Sequence, residues 1–285
     1  MKYFVLVLFC FFAINWNVYS QNNIIPKDYK LVFSEEFQSK GRPDSLTWNY
    51  EYGFVRNEEH QWYQEKNAYV QGGYLIIEGR KERVKNTNYT EGAKSWKKIR
   101  EFAEYTSASI NTRGKKEFLY GRFEIRAKID TSMGLWPAIW TLGVNRNWPN
   151  NGEIDIMESY PINGNHYLLA NVLSVDGERS HQKWNSAKYP LNHFLEKNSA
   201  WCSEFHIWRM DWDENSIKLF LDDELLNETL LSTTIAPDGF QPFNQPHYIL
   251  LNLAIGGQNG GNPSNTKFPT QYIIDYVRVY QKINN

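Results

Sequence analysis

The sequence predicts an all-β fold of two packed antiparallel sheets, on three observations. Many short segments alternate apolar with polar residues, turn-forming clusters such as Gly72-Gly73, Asp222-Asp223 and Gly256 to Gly261 separate them, and no stretch of ten or more residues holds a helical period apart from a short one near Pro190 to Asn198. The composition agrees. Eleven Trp, 18 Tyr and 16 Phe among 285 residues supply a large core and an aromatic surface of the kind that holds sugars.

Taken in chain order, the first element is a leader. Residues 1–20 join a positive charge at Lys2 to an apolar run from Tyr3 to Ile14 and a small residue at Ser20, the pattern of a secretory signal peptide cleaved near Ser20 and Gln21. Asn15 and Asn17 interrupt the run too early for a membrane span. Residues 21–285 carry no repeat, linker or low-complexity run, so they are expected to form one secreted domain. Within it, period-two segments predict strands at Tyr69–Gln71, Tyr74–Glu78, Tyr120–Lys128, Ile217–Leu221 and Tyr276–Tyr280. Cys202 is the one cysteine outside the leader, which excludes an internal disulfide. A formal net charge of −1 gives no long-range pull toward nucleic acid or an anionic membrane. The six histidines lack the spacing of a zinc site.

The most informative stretch is Asn151-Gly152-Glu153-Ile154-Asp155-Ile156-Met157-Glu158. In a strand, Glu153 and Asp155 share one face while Ile154 and Ile156 enter the core. Regular alternation would send Glu158 into the core, where an unpaired carboxylate is expensive. A β-bulge at Ile156-Met157 restores it to the face of its partners. Two carboxyls facing one glycosidic bond are what a retaining glycosidase needs, with a separation of about 5 to 5.5 Å. Asp155 between them is placed to tune their protonation. Three acids on a strand also suit a solvated face or a calcium site. Trp136 and Trp140, just upstream, are candidates to line the same cleft, although either is equally at home in a core.

These residues resemble glycoside hydrolase family 16, whose pattern is Glu, apolar, Asp, apolar, an optional apolar residue, Glu, with Met157 in the optional place. The likeness extends to Leu31–Phe37, Tyr105–Ala108, Tyr120–Arg122 and Asp275–Gln281. It implies a jelly-roll β-sandwich with a concave substrate cleft, Glu153 as nucleophile, Asp155 as its partner and Glu158 as acid/base. The bulged, laminarinase-like branch is the nearest in pattern, implying a β-1,3- or mixed β-1,3/1,4-glucan. That branch also takes β-galactans of the agar, porphyran and carrageenan types. Three positions depart from the laminarinase pattern: Ser109 stands where Arg is common, Leu168–Val172 replaces a histidine-containing strand, and the loop Gly256 to Gly261 lacks a Trp.

The resemblance further implies sugar contacts for Trp62, Asn67 and Arg122, against the plainer readings of a strand-edge aromatic, a turn residue and an ion pair. Glu36 and Asp275 match two ligands of a structural calcium that some members hold, and each is equally suited to pairing with Arg or Lys. Catalysis is expected to need no cofactor, and the chain is expected to act on a polysaccharide as a monomer. A non-catalytic sugar-binding jelly roll is the alternative of a different class.

Overall fold

The computed structural model describes residues 25–176 and 181–283, so the expected leader at residues 1–20 lies outside the described residues. Sixteen strands make two sheets of eight. In chain order they are β1 (Tyr29–Glu35), β2 (Asn49–Tyr50), β3 (Ala68–Gln71), β4 (Tyr74–Gly79), β5 (Ser109–Asn111), β6 (Glu117–Phe118), β7 (Gly121–Lys128), β8 (Leu135–Gly143), β9 (Glu153–Ile162), β10 (Asn165–Asp176), β11 (His181–Pro190), β12 (His206–Trp212), β13 (Ser216–Leu221), β14 (Glu224–Leu230), β15 (His247–Ile255) and β16 (Thr270–Lys282). The outer sheet runs β14-β13-β12-β7-β16-β4-β3, with β1 also on β16. The cleft-bearing sheet runs β11-β10-β9-β8-β15-β5-β2, with β6 also on β15.

Pairing within both large sheets is antiparallel, as the turn-separated alternation predicts. A small parallel pair outside them, Gln61–Tyr63 with Tyr105–Ser107, is a departure from that expectation. The short helical segment expected near Pro190 to Asn198 is present at Asn192–Leu195. Among the described residues no helix is long and apolar enough to cross a membrane.

Alternation explains the core. In β7, Phe123, Ile125 and Ala127 point inward, and their partners from the cleft sheet include Leu135, Ile139, Ile154 and Leu251. The strand β8 is buried along its whole length, with one face in the core between the sheets and the other on the floor of the cleft. Leu135 and Ile139 enter the core, whereas Ala138, Trp140 and Leu142 form a second small cluster with Tyr248 and Leu250 beneath the cleft.

The expected bulge is present in β9. On the β10 side, Asp155 pairs with Asn171 and Glu158 with Leu169, so Ile156 and Met157 together oppose Ala170. On the β8 side the register slips between Ile139 and Trp140 at the same place. Both Ile156 and Met157 are fully buried in the core, and the extra residue returns Glu158 to the opposite face. Deleting Met157 should therefore keep all three acids on one face while removing a packed side chain, at a cost of about 2–5 kcal/mol. Inserting one apolar residue after Met157 should instead drive Glu158 inward and lose both stability and activity. Thermal unfolding and activity of the two variants check this together, and an active insertion beside an unfolded deletion would refute the parity argument.

Candidate active site

The acids of β9 are delivered by a turn. Gly152 adopts φ +76°, and a Cβ there would sit 2.8 Å from Pro242 Cβ, so the chain can enter the strand closely packed only without a side chain. Glu153, Asp155 and Glu158 then face a cleft of about 710 Å³ that crosses the strands from β15 to β11.

Each glutamate is held by its own indole. Trp148 Nε1 donates to Glu153 Oε2 at 2.6 Å, and Trp136 Nε1 donates to Glu158 Oε1 at 2.8 Å. Asn171, across the sheet, donates from Nδ2 to Glu158 Oε2 at 2.9 Å and to Asp155 Oδ2 at 3.2 Å. Asp155 is buried and hydrogen-bonds Glu153.

This burial sets the proton distribution. Desolvation raises the Asp155 carboxyl well above the carboxylate range, and the charges of Glu158 and Glu153 push it further. Asp155 therefore carries a proton that it donates to Glu153. Desolvation also lifts Glu158 to about 7, against the Trp136 hydrogen bond and assisted by the Glu153 charge. Glu153 is raised by burial too, but the Trp148 and Asp155 hydrogen bonds and the Arg56 charge all oppose the rise. The arrangement favours an ionised Glu153 opposite a protonated Glu158 near neutral pH.

The cleft floor is fixed by a polar chain. Trp140 Nε1 donates to Asn252 Oδ1 at 2.7 Å, and Asn252 Nδ2 donates to the Tyr63 hydroxyl at 3.3 Å. The Arg56 guanidinium lies 5.0 Å from the Trp140 ring centroid and 5.9 Å from that of Tyr63, within cation–π range. Glu51 pairs with Arg56 and accepts a 2.5 Å hydrogen bond from Ser109 Oγ. Ser109, at a position where the resembled laminarinases carry Arg, thus anchors the carboxylate that fixes a guanidinium from another segment.

Trp136 and Trp140 both line the cleft as candidates, and Tyr160 packs edge-on to Trp136 at 5.3 Å. Three other candidates require correction. Asn67 is fully buried away from the cleft, where its amide donates to the Glu78 carbonyl at 2.7 Å and the Thr106 hydroxyl at 3.0 Å. Trp62 is not part of the cleft lining and packs edge-on against Phe54 at 5.5 Å. Arg122 lies on β7 of the outer sheet, where it forms a two-pronged pair with Asp211 at 2.7 and 2.9 Å.

The calcium ligand set does not fit. Arg278 engages both oxygens of Glu36 at 2.7 and 2.9 Å, and Arg126 pairs with Asp275. Among the described residues no group of three or more His, Cys, Asp or Glu is placed to hold a metal.

Trp148, Asn171 and Arg56 are the site residues that sequence reasoning missed. Trp148 had a local signal, an indole beside Pro149 in the turn just before the acids. Asn171 had a weaker one, lying in a strand already marked as departing from the laminarinase pattern.

The chain is similar to known proteins over most of its length. Residues 80–278 match the sequence model of Glycosyl hydrolases family 16. The chain is 36% identical over 270 residues to a Beta-glucanase of Rhodothermus marinus, covering 89% of this chain and 85% of that protein. It is 30% identical over 275 residues to Glucan endo-1,3-beta-glucosidase A1 of Niallia circulans, covering 88% of this chain but only 38% of that longer protein. A solved structure from work on endo-acting O-glycanases, which prominent members of the human gut microbiota express to initiate mucin breakdown, superposes with a TM-score of 0.81 at 34% identity, covering 90% of this chain and 92% of that one. The laminarinase catalytic domain of Thermotoga maritima superposes with a TM-score of 0.74 at 32% identity, covering 90% and 100%. With the bulged acidic strand and its cleft in place, the match across most of the chain shows that this protein belongs to glycosyl hydrolases family 16 and is a glycoside hydrolase.

Proposed function

We propose that the chain is a retaining endo-hydrolase of β-1,3- or mixed β-1,3/1,4-glucan, exported by a leader at residues 1–20 and working as a monomeric domain of residues 21–285. The observation that carries this reading is the pair of glutamates on one cleft face, each gripped by a separate indole and bridged by a buried Asp155. In the first step the Glu153 carboxylate attacks the anomeric carbon while Glu158 gives its proton to the leaving oxygen. In the second, Glu158 takes a proton from water, and the water oxygen displaces Glu153. Two inversions leave the β configuration intact. Two carboxyls, one shuttled proton and water balance the reaction without a cofactor.

A second reading, an endo-hydrolase of β-galactose-containing chains, is favoured by two observations. The mucin-directed structure superposes more closely than the Thermotoga laminarinase, at 0.81 against 0.74, and the Ser109 and Asn171 surroundings depart from the laminarinase pattern. Release of new reducing ends from laminarin, mixed-linkage glucan, agarose, porphyran, carrageenan and mucin glycans decides between them. Release from the galactose-containing chains alone would replace the glucan reading, and binding without release from any would make the protein a lectin.

Two predictions follow from the proton distribution. Glu158→Ala should lower turnover by about 10²–10⁴-fold, and Glu153→Ala should be inactive until azide, acting as an external nucleophile, partly restores cleavage of an activated substrate. Proton NMR of the first-formed wild-type product should show the β anomer; an α anomer would mean that water attacks directly.

The pH profile of kcat/KM should be bell-shaped. Its alkaline limb should fall near pH 7, where Glu158 loses the proton it must give, and its acid limb where Glu153 gains one. Arg56→Gln removes a positive charge that favours ionised Glu153, so its acid limb should move to higher pH. An unmoved acid limb would show that the guanidinium does not act on Glu153.

A further inference from the structure

The register across the sheet extends the cleft beyond the acids. Glu153, Asp155 and Glu158 pair with Leu173, Asn171 and Leu169 of β10, which in turn pair with Trp184, Ser186 and Lys188 of β11. These three alternate along the edge strand, so they share the cleft face, and all three are exposed and line the cleft. Two strand spacings, about 10 Å, separate them from the acids. A sugar chain lying across the strands reaches β11 within about two units of the scissile bond.

The chemistry of this edge differs from that of the opposite end. Two cations line the cleft. Arg56 is already held in an ion pair with Glu51. The Lys188 ammonium makes no hydrogen bond or ion pair with the described residues, and its cross-strand partner, Leu169, is apolar. Four residues back along the strand, Trp184 leaves 44% of its surface open. An open indole two positions along the strand from an open hydroxyl and four from an unpaired ammonium suits a sugar ring that carries a negative substituent.

We propose that β11 forms a distal subsite for an acidic sugar unit, with Trp184 stacking on its ring, Ser186 donating to a hydroxyl and Lys188 pairing with its sulfate or carboxylate. The proposal rests on the reading of the cleft as that of a polysaccharide hydrolase. It makes Lys188 a specificity-determining residue that touches substrate remote from the bond being cleaved.

The test uses the full chain on laminarin and on lightly sulfated and lightly carboxymethylated laminarin, with agarose and its two derivatives in place of these if only galactans are cleaved. The quantity read is kcat/KM on each derivative divided by kcat/KM on the neutral polymer. Lys188→Gln should lower that ratio by about tenfold, the size of one charge-assisted contact, while Lys188→Arg should keep it. Added salt should depress the ratio in the wild type and leave it flat in Lys188→Gln. The derivative that responds identifies the anion as sulfate or carboxylate. Trp184→Ala should raise KM with little change in kcat. A ratio indifferent to Lys188 on both derivatives, with the neutral polymer still cleaved, overturns the subsite alone. Failure of the wild type on every neutral polymer and on every acidic derivative alike overturns the hydrolase reading and the subsite with it.

Discussion

Crowding three carboxyl groups into a half-buried cleft is the constraint on which the rest of the site depends. Left to themselves, Glu153, Asp155 and Glu158 would repel one another and resist desolvation. The protein answers with donors that carry no charge, the indoles of Trp148 and Trp136 and the amide of Asn171, and with one cation, Arg56, set back beneath Trp140. Neutral donors stabilise a carboxylate without fixing it permanently in the ionised form. That suits the acid/base role proposed for Glu158, whose carboxyl burial lifts to about 7 against the pull of these donors.

The same strand serves two masters. Its outward residues carry the proposed chemistry, while Ile154, Ile156 and Met157 are among the fully buried members of the core. The bulge reconciles the two demands, because it lets two consecutive apolar residues pack inward without exchanging the faces of the acids on either side. Neighbouring strands on both sides absorb the slip, which ties the geometry of the acids to the packing between the sheets.

Strand periodicity made the acids legible, since the face of Glu153 and Asp155 and the need for an irregularity before Glu158 follow from parity and the cost of burying charge. Trp148 and Arg56 were not legible in that way. One reaches Glu153 from a loop, and the other reaches Trp140 from a segment far away in sequence, so neither contact has a local period. The errors at Asn67, Trp62 and Arg122 share a cause. A side chain's suitability for sugars does not say which sheet, or which side of it, the chain will use, and the structure places Arg122 on the opposite sheet. Ser109 shows the reverse case, where a residue that departs from the expected pattern acts through others, anchoring Glu51 and through it Arg56.

The edge strand β11 has an outer side with no neighbouring strand in the sheet. Such an edge invites a second protein chain to add a strand, and long exposed edges are where β-proteins aggregate. This one combines Lys183, Lys188 and a terminal Pro190 with polar side chains, residues that oppose pairing, and it is moored from below by Asn185 and Tyr189 to backbone carbonyls of β14. Residues that oppose the addition of a further strand and residues that line the far end of the cleft thus share one ten-residue strand, so a substitution made there for one property acts on the other.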